Sequence, residues 1–216
     1  MNENERHLKE ILVALNKSGI LSDLIIIGSW SLLFYKKIFT DFKPLIRTTD
    51  LDFYVPNAKA VKEKSGVIES LRSLNYDIVQ DTLTNKSRFI SYDGFELEFL
   101  TRLSRSGLSC IKIGNTGIFA EVLSYVDIFS GNFVEVDFDG LMVKVASPAS
   151  FVLQKLLINS DRKDKQEKDI ESVKYVLAFI NLSNKSKQEL FSLFETLPKK
   201  WQKKIQATIK KWGIAI

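Results

Sequence analysis

What this 216-residue sequence holds little of narrows its chemistry first. It has one cysteine, Cys110, so no disulfide forms within the chain and no multi-cysteine metal site is possible. It has one histidine, His7, set in a charged N-terminal stretch. Mechanisms that need a histidine cluster are therefore excluded, and a Ser-His-Asp arrangement would have only His7 to draw on. Long apolar runs are missing as well. The longest, Leu24 to Tyr35, covers 12 residues and is broken by Gly28, Ser29 and Ser31; a membrane span needs about 20. The opening residues are acidic and polar rather than basic then apolar, so no secretion signal is read, and a cytoplasmic, reducing setting is the expectation. Any chemistry falls to carboxylates, lysines and arginines.

What is present is an ordinary globular composition, 45% hydrophobic and 26% charged, enough to build a core without staples. Charge is divided unevenly. Residues 1–145 hold 17 Lys/Arg and 19 Asp/Glu, whereas residues 146–216 hold 14 and 7. So basic a tail suits a polyanion such as nucleotide phosphates, RNA or an acidic partner. A lysine-rich solvated helical face explains it equally well.

Periodicity divides the chain at the same place. Leu8, Ile11, Leu12 and Leu15 predict a helix over 5–18. Leu24 to Ile27 reads as a buried strand closed by Gly28, with helix from Ser29 to Lys37. Leu51 to Val55 reads as a strand, and Lys59 to Leu74 as helical. Period two then takes over, with strands at 76–80, 88–92, 95–101, 108–113, 132–138 and 141–145. Asp93-Gly94 and Asp139-Gly140 make hairpin turns. From Pro148 onward the pattern is helical, over 149–159, 166–180, 186–196 and 199–212, with Ser147 as the first cap. The expectation is an α+β fold: a mixed sheet flanked by helices over 1–146, and a helical region, 147–216, packed on it.

Three features carry chemistry. Ile27-Gly28-Ser29 closes a strand and opens a helix, where a glycine lets the backbone come close and free N–H groups attract phosphate. Asp50-Leu51-Asp52 sets two carboxylates two apart on a strand, hence on one face, while Leu51, Phe53 and Val55 take the other. Like charges so close are tolerable when a cation sits between them, and hard divalent ions such as Mg²⁺ prefer oxygen ligands. Phe95-Glu96-Leu97-Glu98-Phe99 repeats the alternation, so one of its glutamates would complete a three-carboxylate cluster if the two strands lie side by side.

This order of features resembles the polymerase-beta-like nucleotidyltransferase superfamily, with its glycine-serine turn, its aspartate pair on the next strand and its third carboxylate on a later one. The tail adds to it. Pro148, Lys155-Leu156, Asp161-Arg162 and Lys168-Asp169-Ile170 look like the helical part of the abortive-infection toxin nucleotidyltransferases, and Arg47-Thr48-Thr49-Asp50 is similar to their lead-in. The resemblance spans roughly residues 24–180. It implies a fold of nucleotidyltransferase type and transfer of an NMP from an NTP to a hydroxyl of a protein, tRNA or small molecule, releasing pyrophosphate. It also implies Mg²⁺ or Mn²⁺ held by Asp50, Asp52 and Glu98, with Glu96 competing for the third place. Gly28, Ser29, Arg47, Thr49, Lys155, Arg162, Lys168 and Asp169 would bind the nucleotide, and a cognate antitoxin would be a partner. A second reading keeps the fold without turnover. In it the basic tail, with Trp201, Trp212 and its lysines, holds nucleic acid or a protein.

Overall fold

The computed structural model describes residues 3–44, 46, 48–62, 64, 66–81, 83, 86–103 and 107–215. Among them nine strands form one mixed sheet. They are β1 (Ile25–Ile27), β2 (Asp50–Tyr54), β3 (Tyr76–Gln80), β4 (Ser87–Ser91), β5 (Glu96–Arg102), β6 (Cys110–Lys112), β7 (Phe119–Leu123), β8 (Phe133–Phe138) and β9 (Leu141–Ala146). The helices are α1 (Glu3–Lys17), α2 (Ser31–Tyr35), α3 (Val67–Arg72), α4 (Pro148–Ile158), α5 (Gln166–Ile180), α6 (Asn184–Thr196) and α7 (Lys199–Trp212). No helix among the described residues is long and apolar enough to cross a membrane.

The sheet runs β3-β4-β5-β2-β1-β9-β8, with β7 joining β5 beyond the end of β4, and β6 on the far side of β7. β2 pairs β1 antiparallel and β5 parallel. The apolar alternation settles which face is buried. Leu51, Phe53, Leu97 and Phe99 are at most 1% exposed, and the Phe53 and Phe99 rings stack at 5.6 Å between centroids. Burying aromatic side chains of this size is among the largest single contributions to a core.

Helix α4 begins as its sequence dictates. The Ser147 hydroxyl accepts from the Ser150 N–H at 3.2 Å, and Pro148 takes the first turn, where no N–H is needed. The helix is buried over most of its length, against α5, α6 and α7. Trp201 and Trp212 do not stand free for stacking on bases. Trp201 meets the Tyr125 ring edge-on at 5.2 Å, and the Trp212 indole N–H donates to Asn159 at 3.0 Å.

Two predicted elements differ. The helix read over 59–74 is limited to a 3-10 turn at Ala58–Ala60 and to α3, whose start is set by Gly66 at φ +76°. The helix read from Ser29 becomes a 3-10 turn, Gly28–Trp30, followed by the five residues of α2. Strand β7 carries no expectation from the sequence, because Phe119-Ala120-Glu121-Val122-Leu123 does not alternate cleanly.

Candidate active site

The polar face of β2 and β5 floors a cleft of about 660 Å³. Register builds the floor. Asp50 lies beside Glu96 and Asp52 beside Glu98, so four carboxylates form a two-by-two array. Parallel pairing requires this, because both strands alternate in phase. Gly28 closes one end, opposite Asp52 through the pairing of Ile27 with Asp52. Its φ of +67° favours glycine, and a Cβ there would meet the Asp52 Oδ2 at 2.7 Å. Gly28 therefore serves both the turn and the room that Asp52 needs.

The floor is electrostatically strained. The Asp52 carboxyl is pushed up to about 7, first by desolvation, then by Glu98 and Asp50; Lys155 and Arg162 pull the other way. The glutamates have partners. Arg88 from β4 lies 3.4 Å from Glu96, and Lys86, just before β4, lies 3.2 Å from Glu98 and also bonds Glu121 of β7. The charge that acts most strongly on Asp52 is that of Glu98, which distinguishes it from Glu96.

The opposite wall is basic and comes from the tail. Lys155 of α4 is buried and lies 2.7 Å from Asp169 of α5. Arg162 reaches the other Asp169 oxygen at 3.2 Å. Two cations share one buried carboxylate, so the wall keeps positive charge turned to the floor. Burial pushes the Lys155 ammonium below its ordinary value; Asp169 opposes that shift and Arg162 adds to it. Lys165 and Lys168 continue the wall. Helix α7 braces its outer end, where Lys204 bonds Asp161 at 2.6 Å and sits 4.7 Å over the Tyr125 ring.

Of the residues singled out in the sequence, Gly28, Ser29, Asp50, Asp52, Glu98, Lys155, Arg162, Lys168 and Asp169 all line this one cleft, as does Glu96. Thr49 is exposed and does not line it; its carbonyl accepts the Glu96 N–H at 3.1 Å, and Thr48, in phase with Asp50, lines the cleft instead. Arg47 lies outside the described residues. His7 bonds the Tyr76 hydroxyl and is not part of the lining. Sequence reasoning passed over Arg88, Tyr125, Gln154 and Lys165, and also Lys86, which pairs with Glu98; Asp161, read there only as part of the tail motif, lines the cleft as well. Lys86-x-Arg88 was the available signal, a pair of cations two apart at the entry to the strand that precedes Glu96.

The donor set suits a hard divalent ion. Among the described residues, no three carboxylate, histidine or cysteine side chains converge as a ready-made ligand set. Magnesium does not require one: it is commonly held by one or two carboxylates, the rest of its shell being water and substrate phosphate. Asp50 and Asp52 provide two such groups, side by side with Glu96 and Glu98 on one polar face.

A family profile described as Nucleotidyltransferase matches residues 6–192. This chain belongs to the nucleotidyltransferase family. The fold agrees, and it is polymerase-beta-like. A crystal structure of ANT(2'')-Ia in complex with adenylyl-2''-tobramycin is similar at a TM-score of 0.54 and 12% identity, covering 98% of this chain and 99% of that one. A solution structure of the antibiotic-resistance factor ANT(2'')-Ia is similar at 0.53 and 14%, covering 89% and 91%. No curated protein matches the sequence.

Proposed function

We propose that this nucleotidyltransferase moves an NMP from an NTP to an acceptor hydroxyl, releasing pyrophosphate, with the chemistry centred on Asp50, Asp52 and Glu98. Residues 1–146 form the core in this reading, and residues 147–216 the helical region that supplies the wall. The observation that carries it is the pairing of an acidic floor with a basic wall across one cleft, beside a glycine that leaves Asp52 its room. A metal–triphosphate is the ligand that satisfies both sides at once.

Asp50 and Asp52 would hold the divalent ion, Mg²⁺ or Mn²⁺, and Glu98, beside Asp52 but not converged with the pair, would join as third ligand when the ion is bound. When bound, the ion offsets triphosphate charge and activates the attacking oxygen. The chain's own residues do the rest. Lys155 and Arg162, fixed by Asp169, meet the negative charge that builds on the phosphates in the transition state. The Ser29 hydroxyl and the N–H groups of the 3-10 turn grip phosphate oxygens. Helix α2 is too short to add much dipole, so the grip rests chiefly on the wall. Glu98 would accept the proton of the incoming hydroxyl.

The test is label transfer. Wild type and Asp52→Asn are incubated with each α-labelled NTP, Mg²⁺ or Mn²⁺, and three acceptors in parallel: an aminoglycoside such as tobramycin, bulk tRNA, and a cell extract as protein source. The fold neighbour bound to adenylyl-2''-tobramycin motivates the first arm. The tail's likeness to the toxin group motivates the other two, together with co-purification of an antitoxin partner. Transfer to one acceptor, lowered about 10²- to 10³-fold by Asp52→Asn, is the expected outcome. Absence of transfer to all three, with nucleic-acid binding indifferent to Asp52, overturns it in favour of a binding protein.

A further inference from the structure

We infer that Lys86 is a resident counter-ion for the third carboxylate, a positioning residue that holds Glu98 and sets how tightly the site takes up a divalent cation. The inference rests on the metal-binding reading of Asp50, Asp52 and Glu98 above.

Glu98 stands beside Asp52 and is the charge that bears most on it. Its own oxygen lies 3.2 Å from the Lys86 ammonium, at a partly buried position where the two side chains are 24% and 20% exposed. There the pairing is less screened than at the surface. Lys86 has a second anchor, Glu121, which β7 brings alongside β5 through the pairing of Leu100 with Glu121. One ammonium therefore bridges two glutamates, of which only Glu98 faces Asp52 across the strand pair and only Glu98 lines the cleft. With a divalent ion at Glu98, the lysine repels it and competes for the same lone pairs. Glu121 gives the lysine a carboxylate to remain on. Glu98 is held in place before the nucleotide and its metal arrive, and the standing affinity for free metal is kept low.

Two substitutions are expected to act in opposite directions. Lys86→Met removes the competing charge, and Mn²⁺ binding, read as loss of the free-ion electron paramagnetic resonance signal, should tighten ~3- to 10-fold. Glu121→Gln leaves the lysine to Glu98 alone and should weaken Mn²⁺ binding ~2- to 5-fold. Lys86→Arg keeps the charge and should stay within ~2-fold of wild type. Each titration is run with and without a non-hydrolysable NTP, and circular dichroism checks the fold of each variant. A purely structural role for the bridge would loosen Mn²⁺ binding in both Lys86→Met and Glu121→Gln, and that result overturns the inference. So does unchanged binding in Lys86→Met. Should Lys86→Met fail to fold, Lys86→Gln, which removes the same charge but keeps a polar side chain, is titrated in its place; tightened Mn²⁺ binding supports the inference, and unchanged or looser binding overturns it. If wild type takes up no Mn²⁺ even with nucleotide, the metal-binding reading itself fails, and this inference with it; Mn²⁺ uptake by wild type without the opposed shifts overturns this inference alone.

Discussion

The two sides of the cleft are built by different means. The floor is made by strands, which fix where side chains project but supply no neutralising partner for Asp50 and Asp52 within the strand pair. The wall is made by helices, where Lys155 and Arg162 each find Asp169. Strand geometry concentrates charge of one sign; helix packing sets charges of opposite sign against each other. The floor is thus the side that needs a ligand for relief. The wall is the side that holds its shape without one.

The sharpest way to break this contrast is at Asp169. Its side chain is 3% exposed and that of Lys155 8%, so Asp169→Asn leaves a buried ammonium without its counter-charge. Urea denaturation should show a loss of about 3–5 kcal/mol, the range for removing one partner of a buried pair. A change below about 1 kcal/mol, the surface-pair range, would mean that the wall is as loosely held as an exposed pair.

The floor should respond with the opposite sign. Asp52 titrates at about 7 in the folded chain against 3.8 as a free side chain. The folded state holds that proton more tightly, so this group's stabilising contribution is complete below about pH 4 and is lost as pH rises through about 7. In EDTA, Asp52→Asn should therefore melt several degrees above wild type at about pH 8, a gain of about 1 kcal/mol being worth roughly 2–4 °C at this chain length. The two should converge near pH 4. A uniform offset across the range would show that the gain is not electrostatic.

The smallest effect is expected at Glu96. Its partner Arg88 is 41% exposed and the pair sits at the floor's rim. Glu96→Gln should cost under about 1 kcal/mol and leave label transfer within about threefold of wild type. A loss as large as that from Asp52→Asn would instead make Glu96 the third ligand in place of Glu98.

How much of this was legible beforehand follows from what each pattern encodes. Alternation in Asp50-Leu51-Asp52-Phe53 names the shared face directly, because side chains on a strand change sides at every residue. Ser147-Pro148 announces α4, and α5 and α7 fall where their periodicity places them. Adjacency is another matter. Nothing local says that β5 lies beside β2 and parallel to it, since that pairing joins segments far apart in sequence and shows itself only in core contacts such as the stacked Phe53 and Phe99 rings. The partners of Lys86 were hidden for the same reason: the Lys86-x-Arg88 pair is visible in the sequence, but the carboxylates it meets come from β5 and from β7, a strand whose mixed pattern gave no warning. The helix read over 59–74 shows the converse, a periodicity that Gly66 at positive φ cuts short.

The in-phase pairing of β2 with β5 has a consequence for how the chain finds its shape. Sliding β5 by one position would turn Glu96 and Glu98 inward, among the phenylalanines, and put Leu97 and Phe99 into water. Burying two bare carboxylates costs far more than the crowding they endure beside the aspartates. The acidic residues thereby guard the alignment of the strands that carry them, and a polypeptide stripped of these glutamates would have lost a safeguard against assembling out of step.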